Sequence, residues 1–163
     1  NNVHRKTHEE VAAFFQPDSP LHSLVGIEVL VQLVQEVGTA APMHTIGQHR
    51  AVVTSFRDVA LLKIFKLALQ TLRAINIDDM TEAEAPYRDT LKERALVLAE
   101  LCVGYDFSGT STGGSVDDEG TTKLPAEWRP LFEDEHNREA TPVLDLFWDM
   151  YTKSVDAPPP PPA

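Results

Sequence analysis

At 163 residues, with 42% hydrophobic and 24% charged residues, the chain suits one globular domain or one piece of a larger protein. Its net charge of −11 argues against nucleic acid and anionic membrane surfaces, both of which would repel it. No apolar run reaches the roughly 20 residues that a membrane-crossing helix needs, and the N-terminus lacks the apolar core of a secretory signal.

The charge is unevenly placed. Residues 105–163 hold 12 of the 25 acids and only 4 of the 14 bases. That is compatible with a basic protein partner, and equally with plain solubility. The single cysteine, Cys102, cannot form an internal disulfide, which fits a reducing compartment. The first residue is Asn1 rather than Met, so a longer parent chain is expected.

In chain order, Thr7 or its neighbours can cap a helix holding Glu9, Glu10, Val11, Phe14 and Phe15. Pro17 and Pro20 bracket a turn, and a second helix is expected from Leu21 to Val37, stopped at Gly38. Its apolar residues go almost all the way round, which predicts burial between two layers. Ile27–Val34 is rich enough in Val and Ile to allow a strand, but Glu28, Gln32 and Gln35 at helical steps favour helix. Residues 39–47 read as a loop, and Gln48–Ser55 as a short helix or the first turns of the next one.

Ser55–Asn76 carries the plainest helical signal. Leu62, Phe65, Leu69 and Leu72 recur at steps of three and four, with Leu61, Ile64, Ala68 and Ile75 on the flank. Lys63, Lys66, Gln70 and Arg73 fall opposite them, predicting a solvated ridge. Residues 77–84 form an acidic connection in which Thr81 and Glu84 have capping-box spacing, and Pro86 can place the helix start later. A helix over 86–103 has a stripe of Leu91, Ala95, Leu98, Cys102 and Tyr105, and Gly104 can end it.

Residues 106–122 are rich in Ser, Thr and Gly and carry the triplet Asp117–Glu119, so a mobile loop is expected. Pro125–Phe132 predicts a short helical turn anchored by Trp128 and Phe132. After a charged link, 141–153 predicts a last helix with Pro142 at N1 and Leu144, Phe147, Trp148 and Tyr151 apolar. Residues 157–163 are a proline tail. The expected class is therefore all-α, antiparallel helix pairs in a bundle or an α-solenoid.

Nothing assembles a nucleophile, a base and an orienting group. Cys102 lies in an apolar stripe and reads as a core residue rather than a nucleophile. His4 and His8 are one turn apart, but the HExxH zinc pattern and a third ligand are absent. Gly109–Ser115 has glycines like a phosphate loop but no GK[ST] end, and acids follow it. Asp117, Asp118 and Glu119 lack the spaced ligands of an EF-hand. The proline run could engage a WW, SH3 or profilin-like surface, or be an idle linker. The sequence assigns no catalytic, cofactor-binding or metal-binding residue and implies no cofactor.

Several segments carry a family resemblance. They are Ser55-Phe56-Arg57-Asp58 with Ile64-Phe65, then Tyr105-Asp106-Phe107 through Thr112, then Asp117-Asp118, then Pro125-Ala126-Glu127-Trp128-Arg129. With His49-Arg50 and Leu146–Tyr151, they resemble the exportin-7-like receptors of the importin-beta superfamily over roughly residues 7–153. The resemblance implies a HEAT-repeat superhelix, with helical pairs over 1–105, a loop over 106–124, a turn and last helix over 125–154, and a tail over 155–163. It also implies a non-enzymatic receptor that binds Ran-GTP and protein cargo, meets nucleoporins, and shuttles between nucleus and cytoplasm. A generic helical scaffold without Ran dependence is the alternative. No residue matches a family motif with a defined contact role, so none is assigned one. The charged link 133–140 and the proline tail depart from the family pattern. If the chain is an internal section, its end helices present faces made to be covered, and the isolated chain is expected to self-associate or to populate a loosely packed helical state.

Overall fold

The computed structural model describes residues 20–38, 46–107, 124–133 and 142–156. The first helix expected from the sequence, the long acidic loop beyond Phe107, the charged link and the proline tail lie outside these. Among the described residues every regular element is helical. The chain divides into two compact units, 1–123 and 124–163.

In the first unit, α1 spans Pro20–Gly38, α2 Ile46–Phe56, α3 Leu62–Asn76 and α4 Arg88–Val103. A π-helical turn, Arg57–Leu61, joins α2 to α3 with helical backbone angles at Phe56, Leu61 and Leu62. Residues 46–76 are therefore one continuous helical run with a wider turn in its middle. This is the second of the two readings that the sequence left open for 48–55.

The apolar face of α3 is buried as its period requires. Ile64, Phe65, Ala68, Leu69, Leu72 and Ile75 are inside, with Leu61 of the π-turn beside them. Each large side chain there contributes roughly 1.5–3 kcal/mol by leaving water. Lys63, Lys66 and Gln70 are exposed, but Arg73 on the same ridge is partly covered, and burial lowers its pKa. A long side chain can lay its stem along apolar surface while keeping its head near water.

Helix α3 ends in a Schellman-type turn. Asp78 N–H bonds to Ile75 C=O at 3.2 Å and Asp79 N–H to Ala74 C=O at 2.9 Å, with Asp78 at φ 56. Arg88, the first residue of α4, donates to the Asp78 carboxylate and to the Ile75 carbonyl. The predicted capping box is formed: Glu84 N–H bonds to Thr81 Oγ1 at 3.2 Å and Thr81 N–H to Glu84 Oε2 at 3.4 Å. It sits one turn early. A 3-10 turn, Ala85–Tyr87, follows it, and Pro86 holds back the start of α4 as expected.

Helices α3 and α4 form the antiparallel pair. Helix α1 lies parallel to α4, as three successive contacts show. Ser23 Oγ donates to Glu84 Oε1 at 3.3 Å, Arg94 Nε to Glu28 Oε2 at 2.7 Å, and the C-terminal ends share a cleft. The Arg94 guanidinium and the Gln32 amide together lower the pKa of Glu28, the amide having the larger effect. The expectation that α1 is buried all round is corrected. Ile27, Val31 and Val34 are inside, but Val25, Val29 and Leu33 are 39–49% exposed. The described helices that pack on α1 lie on one side of it, so its outer stripe faces water.

The second unit has a 3-10 turn, Ala126–Trp128, then the short α5, Arg129–Glu133, and α6, Val143–Asp156. The predicted turn over 125–132 is thus present. Trp128 is buried and Phe132 is half-buried. Pro142 is not inside α6: its carbonyl accepts from Leu146 N–H at 2.9 Å, placing it just ahead of the helix. The sequence read Leu144, Phe147, Trp148 and Tyr151 as the apolar side. The structure buries Val143, Leu146 and Met150, a stripe that sequence reading did not separate, and leaves Leu144, Trp148 and Tyr151 exposed.

Candidate functional site

Two of the sequence segments that carry the resemblance meet in space. Ser55–Asp58 lies where α2 becomes the π-turn, and Tyr105–Phe107 lies just past the end of α4. The Tyr105 hydroxyl donates to the Val53 carbonyl at 2.8 Å, and the Arg57 guanidinium donates to the Phe107 carbonyl. The Tyr105 ring stands 6.0 Å from Phe56 and 5.9 Å from Phe107, tilted against the first and edge-on to the second.

Each residue is put there by local chemistry. Gly104 N–H bonds to Glu100 C=O at 2.9 Å and closes the last turn of α4 at an ordinary negative φ. The chain then turns inward, so Tyr105 and Phe107 are both buried while Asp106 between them is half exposed. Tyr105 is therefore not the end of the α4 stripe, as its spacing predicts, but the first anchor of the following segment. Burial, aided by the Asp106 charge, pushes the Tyr105 hydroxyl up to about 12. On α2–α3, the π-turn adds a residue to the helical repeat and resets which side chains face α4. Such turns recur at functional positions.

Two surface hollows flank this junction. A cleft of about 630 Å³ opens between the end of α1, from Val34 to Gly38, and Leu101 of α4 with Gly104, Tyr105 and Asp106 that follow the helix; Glu36 and Asp106 are in its lining. An apolar groove of about 520 Å³ runs along Val52, Phe56 and Val59. Neither brings together the groups of a reaction centre. Cys102 is fully buried, and burial pushes its thiol up to about 12, the opposite of what a nucleophile needs. His49 is buried on α2. His4, His8, His44, His136, Gly109–Ser115 and Asp117–Glu119 lie outside the described residues. Among the described residues, no group of three His, Cys, Asp or Glu side chains could hold a metal ion, and no helix is long and apolar enough to cross a membrane.

Comparison with known proteins shows what the chain that carries these segments is similar to. The chain is 34% identical over 149 residues to Exportin-7-A of Xenopus laevis, an alignment covering 91% of this chain. Along most of its length the chain is similar to exportin-7. It is also 34% identical over 151 residues to Ran-binding protein 16 of Drosophila melanogaster, and 30% identical over 154 residues to Ran-binding protein 17 of Mus musculus. These alignments cover 88% and 91% of this chain. The chain spans about 13% of the length of each of these curated relatives. No protein-family model and no solved structure matches it.

Proposed function

We propose that this chain is a section of a nuclear export receptor that carries protein cargo through the nuclear pore together with Ran-GTP. The observation that carries the reading is the similarity to Exportin-7-A along 91% of the chain. In this role the chain binds and does not catalyse. The receptor shuttles between nucleus and cytoplasm and meets nucleoporins on the way.

We read the helices as HEAT-type pairs of a solenoid, with pairs over 1–105, a loop over 106–124, a turn and last helix over 125–154 and a tail over 155–163. The antiparallel α3–α4 pair supports this division. Tyr105 and Phe107 then anchor, on the π-turn, the segment that leads out of the helical pairs. The excess of acids after residue 105 suits a basic partner surface.

The test is a pull-down with the complete parent protein and Ran locked with GTP or with GDP. Capture of the GTP form alone is expected. Equal capture of both forms rejects the reading.

A further inference from the structure

Helix α3 and the run that leads into it carry positive charge in an acidic chain. Residues 37–76 hold 5 of the 14 bases and 1 of the 25 acids, and that acid, Asp58, is paired with Arg57 at 2.8 Å. From Val59 to Asn76 there is no acid at all. Lys63 and Lys66 lie one turn apart on the exposed side of α3, with Gln70 beyond them. Like charges at this spacing repel, and no acid lies within a turn of either along the helix. Among the described residues neither ammonium has an ion-pair partner, whereas Arg94 pairs with Glu28 at 2.7 Å, Lys153 with Asp149 at 3.1 Å, and Arg88 with Asp78. A chain with surplus acid that leaves two adjacent lysines unmatched has room there for acids from outside.

Apolar atoms bracket the two lysines. Val59, one turn before Lys63, is 66% exposed and also lines the apolar groove beside Phe56. Leu67, directly after Lys66, is 39% exposed. At 1.5 Å per residue, Val59 to Leu67 spans about 12 Å of helix. An extended peptide covers that length in about four residue steps. An apolar residue, a spacer, two acids and a second apolar residue then meet Val59, Lys63, Lys66 and Leu67 in turn.

The charge also says what does not sit here. Repeats of a solenoid meet through apolar faces. A repeat packed on this one would strip water from two unpaired ammonium groups, which costs more than the few apolar atoms beside them return. The face therefore stays open to solvent in a longer array as well. Polyanions are disfavoured too, because a net charge of −11 repels nucleic acid and anionic lipid at range, and two lysines match only two charges. We propose that the Val59, Lys63, Lys66 and Leu67 face docks a short acidic segment of a partner protein, its two carboxylates on the lysines and its flanking apolar side chains on Val59 and Leu67. The docking needs neither Ran nor cargo, so it stands apart from the transport role.

Fluorescence anisotropy of the full chain tests this, with a labelled peptide holding Leu-Ser-Glu-Glu-Leu between Gly-Ser flanks. The native chain is expected to bind it, less tightly as salt is added. Replacing the two acids of the peptide by Gln-Gln is expected to weaken binding about tenfold, the worth of two exposed ion pairs. Lys63→Glu with Lys66→Glu, both at exposed positions, is expected to lose the acidic peptide and to take a Lys-Lys version instead. Lys66→Glu alone weakens binding, while Lys153→Glu, which changes the net charge equally on α6, leaves it almost unchanged. Val59→Ser weakens it at constant charge. Circular dichroism checks that each variant keeps its helix content. A native chain that does not bind the peptide at millimolar concentration overturns the proposal. So does a Lys153→Glu variant that loses as much affinity as Lys66→Glu, since net charge alone would then be at work. Tighter binding of a single-stranded RNA oligomer or of phosphatidylserine vesicles than of the peptide overturns it as well.

Discussion

Cys102 and Tyr105 show how burial fixes chemistry one side chain at a time. Both groups have their pKa raised to about 12, from ordinary values of 9.0 and 10.0, chiefly because the charged form loses its water. A raised pKa of this kind leaves stability complete below the unfolded value and erodes it as pH climbs towards the folded one. Stability is therefore expected to hold to about pH 9 and to fall between pH 9 and 12. Chemical unfolding across that range checks it, and Cys102→Ala should flatten part of the slope. A thiol reagent at pH 8 is expected to label Cys102 only once denaturant is added, because the thiolate is scarce and the sulfur is covered. Rapid labelling of the native chain would contradict this. Tyr105→Phe keeps the ring but removes the hydroxyl's bond to the Val53 carbonyl, an expected loss of about 1 kcal/mol in urea unfolding.

Elements differ in how far their sequence announced them. The buried face of helix α3 was largely legible, because a broad face repeating at 3.6 residues has one solution; Leu62 at its start, only half-buried, and Arg73 on the opposite ridge, partly covered, are the exceptions. The Thr81–Glu84 capping box was legible because both partners lie within one turn of chain. The π-turn was not, since one additional residue in a helix leaves no local composition signal. Nor was the Arg57–Phe107 bond, whose partners are 50 residues apart and meet only after α3 and α4 have paired. Sequence spacing likewise could not tell which of two apolar stripes on α6 is buried.

The turn between α3 and α4 gives a sharper test at this scale. Asp78 holds a left-handed conformation that a β-branched side chain resists. Asp78→Val is expected to cost about 1–3 kcal/mol, from backbone strain and loss of the Arg88 pairing. Asp78→Asn tolerates the conformation and should recover much of the loss. Equal unfolding midpoints for the two variants would show that the turn is held by other contacts.

At the scale of the whole molecule, the outward faces bear on the fold class. The all-helical class followed from the succession of periodic segments, and the exportin-7 likeness from particular segments such as Tyr105–Thr112, which the comparisons bear out. Val25, Val29 and Leu33 of α1 form an outward stripe on the first unit, as Leu144, Trp148, Tyr151 and Val155 do on the second. In a solenoid such stripes are interfaces between neighbouring repeats, and stability grows with each interface closed. Covering one large apolar side chain contributes roughly 1.5–3 kcal/mol, against about 5–15 kcal/mol for a whole domain. A chain extended by the parent sequence that flanks it is therefore expected to melt higher and more sharply than these 163 residues alone. The isolated chain should also bind an apolar dye that the extended one excludes. Thermal melts of the two forms, read by circular dichroism at equal concentration, decide the matter. Identical midpoints and slopes would mean that the flanking sequence covers neither stripe, and the solenoid reading would fall with them.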